Sequence, residues 1–439
     1  MTTVPASSLL QFRPWKWLLL SIVCAAGVWL YAERVLVSYQ IADAAAHDRP
    51  RGNLSDLYPR WVGARELLLH GRDPYSSAVT REIQTGYYGR SLDSARPGDP
   101  KDQQGFAYPV YVIFYLAPTV RLPFAAVQRG FFWVLLGLTV ATVPLWLRML
   151  RWSLAPWAQV SVVALTVGSL AAMQGLKLQQ MTLFVVGLVA MAMALLAADC
   201  AIAAGILLAL ATIKPQLVGL LLFWLAIWTV GDWRRRYRWA ASFLLTMVVL
   251  FAASEWWLPH WIPRFLQAVR EYRSYTDAVS VLDKLVPAPW GMLLRILAAA
   301  ATLHVSWKNR RFAEETHAFA ATASLVLAVT VIVIPSYALY NQVMLLPAVL
   351  LLVRERQSIW DRSFAARGLV ILVAVLLFWP WLASAVLAGL SFLLPPEVVQ
   401  RAWAVPGWTA LSFPAGVAAL MLAHGYQRAF AAPPGPKAA

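Results

Sequence analysis

Charge is scarce in this chain: 13% of its 439 residues are Asp, Glu, Lys or Arg, and the acidic ones, 21 in all, are the rarer sign. With 60% hydrophobic residues and 22 tryptophans beside so little charge, a soluble domain would have to expose large apolar patches. That argues against a water-soluble fold. Cysteine is nearly absent, and the two present, Cys24 and Cys200, both lie in apolar segments. A disulfide framework or cysteine-based zinc site is therefore not expected. The six histidines show no ligand spacing, and no glycine-rich nucleotide loop, HExxH, CxxC pair or EF-hand pattern occurs. ATP-driven transport, a bound metal and an organic cofactor are accordingly not expected. No cytoplasmic stretch is large enough for a nucleotide-sugar site, so a transferase of this design would take its donor from a lipid.

What the chain does have is apolar sequence in lengths suited to lipid. About 20 apolar residues cross a hydrocarbon core of ~30 Å. Apolar runs recur at residues 17–37, 108–121, 125–147, 155–173, 181–198, 200–230, 239–257, 288–306, 317–335, 337–353, 368–388 and 407–425. The sequence predicts an all-α integral membrane bundle of about 12 helices, occupying residues 17–428 between short tails at 1–16 and 429–439. The run 200–230 is too long for one straight span and is broken at Lys214-Pro215, where a missing backbone donor and a ring clash kink a helix.

The net charge of +16 does not point to nucleic acid, because the basic residues cluster in short turns beside apolar runs. Arg234-Arg235-Arg236, Lys308-Asn309-Arg310-Arg311 and the stretch from Arg354 to Arg367 fall on the side of the N-terminus, which the positive-inside rule makes cytoplasmic. Arg148 and Arg151 run against that assignment. The first run follows Arg13 and Lys16 but ends in Ala32-Glu33-Arg34 without a cleavage site, so it is expected to be a retained span.

On this topology the polar interval 39–106 is external, as is a second loop at 258–287. Within the first, Ser55 or Asp56 is placed to cap a helix running to about His70, with Pro59 in its first turn and Gly71 to end it. Leu57, Trp61, Ala64 and Leu68 form one apolar stripe, with Asp56, Gly63, Glu66 and His70 opposite, which predicts a helix lying in the membrane interface. Residues 85–105 read as loop.

Several pieces now fall into order: Asp56-Leu57-Tyr58 with Gly63-Ala64 and Leu67-Leu68, then Gly71-Arg72-Asp73-Pro74-Tyr75 and Phe106-Ala107-Tyr108-Pro109. Gln179-Gln180-Met181-Thr182-Leu183, Ala204-Gly205 through Ile213-Lys214-Pro215, and Tyr340-Asn341-Gln342 through Leu346-Pro347 follow. In order and spacing they resemble the GT-C-type glycosyltransferases of family 87, formerly a domain of unknown function numbered 2029. The resemblance implies a GT-C-like fold and an activity similar to that of polyprenyl-phosphate-mannose-dependent mannosyltransferases, working on the external face of the bacterial inner membrane. It also implies an essential acid early in the first external loop, a position held here by Asp56. The sequence departs from the family at Tyr108-Pro109-Val110, where Tyr-Pro-Pro is usual, and at Gln179-Gln180-Met181-Thr182, where Gly-Gln-x-Asn is. The stretch Tyr337 to Asn341 replaces a histidine that some members carry. These departures bear on the sugar and the acceptor more than on the fold.

The chemistry suits such parts. A sugar hydroxyl is a poor nucleophile, so inverting transfer needs a carboxylate to take its proton as it attacks the anomeric carbon. A phosphate leaving group needs cations or backbone donors to hold its developing charge. One carboxylate with nearby Arg or Lys would suffice without a metal. Asp56 is either a helix cap worth ~1 kcal/mol or, by the resemblance, the general base. Lys214 is either a snorkelling residue at a helix break or a contact to the donor phosphate, intramembrane charge being functional by default. Arg60 and Arg72 read as solvated or headgroup-binding residues and not as catalytic ones, with Arg60 also a candidate to bind the donor phosphate or substrate. Arg270 and Arg273, one turn apart, form either a phosphate clamp or an ordinary charged loop, and Tyr340 and Asn341 either pack helices together or line the cavity. The expected partners are a polyprenyl-phosphate sugar, a lipid or glycan acceptor, and membrane lipids. Two rivals remain: a transporter or lipid flippase, for which internal repeats are expected and not found, and a non-catalytic lipid-binding subunit.

Overall fold

The structure, a computed structural model, describes residues 14–47, 55–93, 95–96, 98–276, 279–335 and 337–430. The predicted tails, 1–16 and 429–439, lie outside the described residues except at their inner edges. Among the described residues there is no strand. Among the described residues six helices are long and apolar enough to cross a membrane: Pro14–Ala46, Phe124–Met149, Trp233–Trp257, Trp290–Lys308, Phe364–Leu390 and Pro396–His424. A pair bent by 58°, Pro156–Val167 with Leu170–Lys177, brings the number to seven if it is one span. The chain is a helical membrane protein by this composition.

Two strongly apolar helices lie inside the bundle and do not face outward. Met181–Leu196 and His317–Val333 bury nearly every side chain, as a helix apolar all round does when it lies inside protein. Met181–Leu196 packs against Phe124–Met149 and Ala201–Ala211, while His317–Val333 packs against Pro215–Gly231, Trp290–Lys308 and Ser412–Phe430. The long helices outside them expose the large apolar side chains that lipid would cover, among them Leu245, Val248, Phe378 and Leu382. Small residues set the close approaches. At Gly205 a Cβ would lie 2.2 Å from the Trp239 carbonyl oxygen, so Ala201–Ala211 and Trp233–Trp257 meet backbone to backbone.

Several predicted runs fold differently. Residues 108–121 form three short pieces, Val110–Val112, Ile113–Leu116 and Ala117–Thr119, because Pro109 and Pro118 punctuate a run with too few residues between them for a span. The run 337–353 begins as a 3-10 helix, Leu339–Leu345, and only then becomes α-helical at Leu346–Arg354. The run 200–230 breaks before Pro215, as its Lys-Pro predicts, into Ala201–Ala211 and Pro215–Gly231.

The polar interval is more ordered than its composition suggests. Its first helix, Tyr58–His70, ends where expected, with Gly71 left-handed at φ 64° and its amide bonded to the Glu66 and Leu67 carbonyls. Its start and its faces need correction. Leu57 is the N-cap residue and supplies no side-chain cap, so neither Ser55 nor Asp56 caps the helix. Gly63 and Glu66, assigned above to the polar side, are buried. A Cβ on Gly63 would stand 2.2 Å from the Phe106 ring, and the Glu66 carboxylate is held by Arg72 and His70. A second helix, Ser77–Tyr88, occupies sequence that includes the start of the predicted loop 85–105. The Ser76 hydroxyl caps it and Gly89, at φ 86°, ends it. The second predicted loop, 258–287, folds largely into Trp261–Tyr275 and the short Val281–Leu285. An Arg264–Asp73 ion pair of 2.9 Å ties the two polar regions together.

Candidate functional site

The site is assembled from four breaks in helical structure. Asp56 precedes Tyr58–His70, and its backbone amide donates to the Leu178 carbonyl at 2.8 Å. That bond pins it beside the turn in which Gln179, at φ 47°, ends Leu170–Lys177 and delivers Gln180 to the start of Met181–Leu196. Lys214 is the residue before Pro215–Gly231, at the break the proline imposes. Tyr340 and Asn341 come from the 3-10 segment Leu339–Leu345. Irregular backbone inside an apolar bundle is tolerated where it lines a cavity, and here it lines one of about 540 Å³. That volume is ordinary for a small-molecule site.

A hydrogen-bonded chain crosses the cavity wall. The Gln180 side-chain amide donates to the Asp56 carboxylate, and Tyr87 Oη stands 3.5 Å from the other carboxylate oxygen. Lys214 Nζ donates to Gln180 Oε1 at 2.8 Å and to Thr182 Oγ1 at 2.8 Å, and Thr182 Oγ1 in turn donates to Asn341 Oδ1 at 3.2 Å. Lys214 also lies over the rings of Tyr340 and Tyr108, at 5.2 and 5.7 Å from their centroids. Arg60 folds back to donate from Nη1 to the Asp56 carbonyl oxygen at 2.6 Å, stacks 4.5 Å from the Tyr108 ring centroid, and leaves Nε without a partner. Among the described residues neither Arg60 nor Lys214 forms a salt bridge. Arg60, a guanidinium at the cavity wall without a carboxylate in salt-bridge contact, makes a place for an anion.

Burial raises the pKa of Asp56 above its ordinary value, opposed by Arg60, the Gln180 amide, Lys214 and Tyr87. A carboxylate so placed is a stronger base than one in water. Asp102, which also lines the cavity, is raised chiefly by burial, with the Gln104 amide and Arg60 pulling the other way and Asp56 adding to the rise. Tyr272 is pushed up to about 12, again mainly by burial.

Of the residues singled out in the sequence, Asp56, Arg60, Lys214, Arg273, Tyr340 and Asn341 all line this one cavity. Arg270 does not, so of the Arg270–Arg273 pair only Arg273 lines the cavity. The face of Trp261–Tyr275 turned to the cavity carries Phe265, Val269, Tyr272 and Arg273, and Arg270 is rotated off it. Sequence reasoning named Gln180 only as part of a motif and passed over Tyr87 and Asp102 as loop. The signal for Gln180 was present, since two consecutive glutamines stand between the apolar runs 155–173 and 181–198.

Compared with protein-family models, with curated proteins and with solved structures, the chain matches none.

Proposed function

We propose that this protein is a membrane glycosyltransferase that moves a hexose, mannose by the family 87 resemblance, from a polyprenyl phosphate to an acceptor outside the cytoplasm, with inversion. The observation that carries the proposal is the Asp56 carboxylate, raised in pKa and hydrogen-bonded through Gln180 to Lys214, at the wall of a cavity shared with the unpaired cation Arg60. Asp56 takes the proton of the acceptor hydroxyl as that oxygen bonds to the anomeric carbon. The bond from that carbon to the phosphate oxygen breaks, and Arg60, Lys214 and Arg273 hold the charge left on the phosphate. Asn341, through Thr182, fixes the position of Lys214.

A lipid-linked donor is favoured by what lies on the far side of Leu339–Leu345. There an apolar groove of about 300 Å³ is lined by Leu339, Val343, Leu346, Leu376, Leu377 and Trp381 among others. One short segment thus separates a charged cavity from an apolar one, which suits a ligand with a phosphate head and a hydrocarbon tail.

In this proposal the chain is multi-pass in a bacterial inner membrane, with about 12 crossings in a GT-C-like arrangement. The short buried helices act as crossings beside the long ones, both termini are cytoplasmic, Tyr58–His70 sits at the external interface, and the cavity opens on the external face. The basic turns support that orientation. Purified protein assayed with a panel of polyprenyl-phosphate sugars tests the activity. A flippase or a lipid-binding subunit would bind the donor and release no polyprenyl phosphate from it.

A further inference from the structure

Beside the Asp56 cavity a second one, of about 760 Å³, opens between Ser77–Tyr88 and Trp261–Tyr275. Gly105 and Ala107 line both, so the two share a wall. At Gly105 that wall has no side chain. A Cβ there would stand 3.7 Å from Tyr275 Oη and 4.0 Å from Thr80 Oγ1, in ordinary contact, so a side chain larger than a methyl group would press on the groups that line the second cavity.

The chemistry of the second cavity differs from that of the first. Thr80, Gln84, Gln103, Gln267, Ser274 and Tyr275 present hydroxyls and amides, and the two charges in the lining, Arg81 and Glu271, are of opposite sign. Nothing there matches the excess of cations around Asp56. Gln84 forms a fixed floor: it is 3% exposed, its amide donates to the Gln103 carbonyl oxygen at 3.1 Å and to Gln103 Oε1 at 2.9 Å, and its own oxygen accepts from the Leu92 amide at 3.1 Å. Uncharged donors and acceptors in quantity, set beside tyrosine rings, recognise polyhydroxyl ligands. They would leave a lipid chain unpaired with polar groups that have lost their water.

We propose that this groove binds a neutral glycan. In the reaction proposed above, on which this step rests, the glycan is the acceptor: its terminal sugar passes Gly105 to present a hydroxyl to Asp56, while the sugars behind it lie between the two helices. The acceptor class is then an oligosaccharide or polysaccharide end, and not a lipid headgroup alone.

The test is a saturation-transfer-difference titration of the full-length protein, without donor, against linear neutral oligosaccharides of glucose, galactose and mannose from one to five residues. Binding should tighten by roughly tenfold or more from monosaccharide to trisaccharide in at least one series. Gln267→Ala and Tyr275→Ala should each weaken it by about tenfold, with melting temperature and monodispersity checked for both. Affinity independent of length, wild-type binding by both variants, or no binding by any series overturns the proposal. Because no donor is present, these results bear on the groove alone, and the transfer activity of Asp56→Asn bears on the reaction alone.

Discussion

Asp56→Asn separates the proposed proton transfer from the architecture around it. The side chain caps no helix, so the substitution removes no capping energy. Asn keeps the shape, its oxygen can still accept from the Gln180 amide, and its own amide can donate to Tyr87 Oη. What it loses is the ability to take a proton. General-base loss costs ~10²- to 10⁴-fold, about 2.7 to 5.4 kcal/mol of barrier at 1.36 kcal/mol per decade. The stability effect has the opposite sign from the usual loss of a buried charge. Because the folded-state pKa of Asp56 is raised, ionising it works against folding at every pH above that pKa, and the penalty disappears as pH falls below the unfolded value. A neutral Asn should therefore leave the melting temperature at pH 7 unchanged or higher. The assay is single-turnover transfer from a radiolabelled polyprenyl-phosphate hexose by protein in nanodiscs, so that chemistry and not product release is measured. A variant that keeps a tenth or more of the wild-type rate refutes the assignment of Asp56 as base. One that loses activity together with its melting transition shows instead a structural role.

Transfer should also fall along an acid limb whose midpoint lies above the ordinary carboxylate value, as the protonated fraction of Asp56 grows; a pH–rate profile of kcat/KM locates that limb. Lys214→Ala and Arg273→Ala are each expected to slow transfer by about 10²-fold, as loss of one donor to a developing charge does, whereas Arg270→Ala, off the cavity face, should stay close to wild type; equal effects at 270 and 273 would restore the clamp. In a background with Cys24 and Cys200 changed to serine, a cysteine at Ser91 should react with an impermeant thiol reagent in spheroplasts and one at Ser358 should not, and the reverse pattern would invert the topology. Gly63→Ala should cost about 1 to 3 kcal/mol of stability, read as a lowered melting temperature, because its Cβ would meet the Phe106 ring at 2.2 Å.

What could be seen in the sequence follows from what costs free energy in lipid. A lysine inside an apolar run is expensive, so Lys214 announced itself, and its proline announced the break that frees it. The partners around it did not, because Gln180 bonds it from 34 residues away and its other partner, Thr182, is bonded to Asn341 across 159 residues. Periodicity misled at Tyr58–His70 for a related reason. A stripe of apolar residues identifies a helix with one wet face, but this helix is covered by Phe106 on the Gly63 side and satisfies Glu66 internally through Arg72 and His70. Ser77–Tyr88 was readable from its Ser76 cap and Gly89 stop, and went unread because a polar composition suggested loop. The number of crossings was the least legible quantity. Hydrophobicity measures removal from water and does not say whether lipid or protein does the removing, so the runs 181–198 and 317–335 scored with the outer helices although they are the inner ones. Length discriminates better, because an inner helix can be short where its ends meet polar breaks instead of headgroups. By that criterion the broken run 200–230 belongs to the site: its first half ends at the cavity, and its proline turns the chain there so that Lys214 faces Asp56 through a single glutamine.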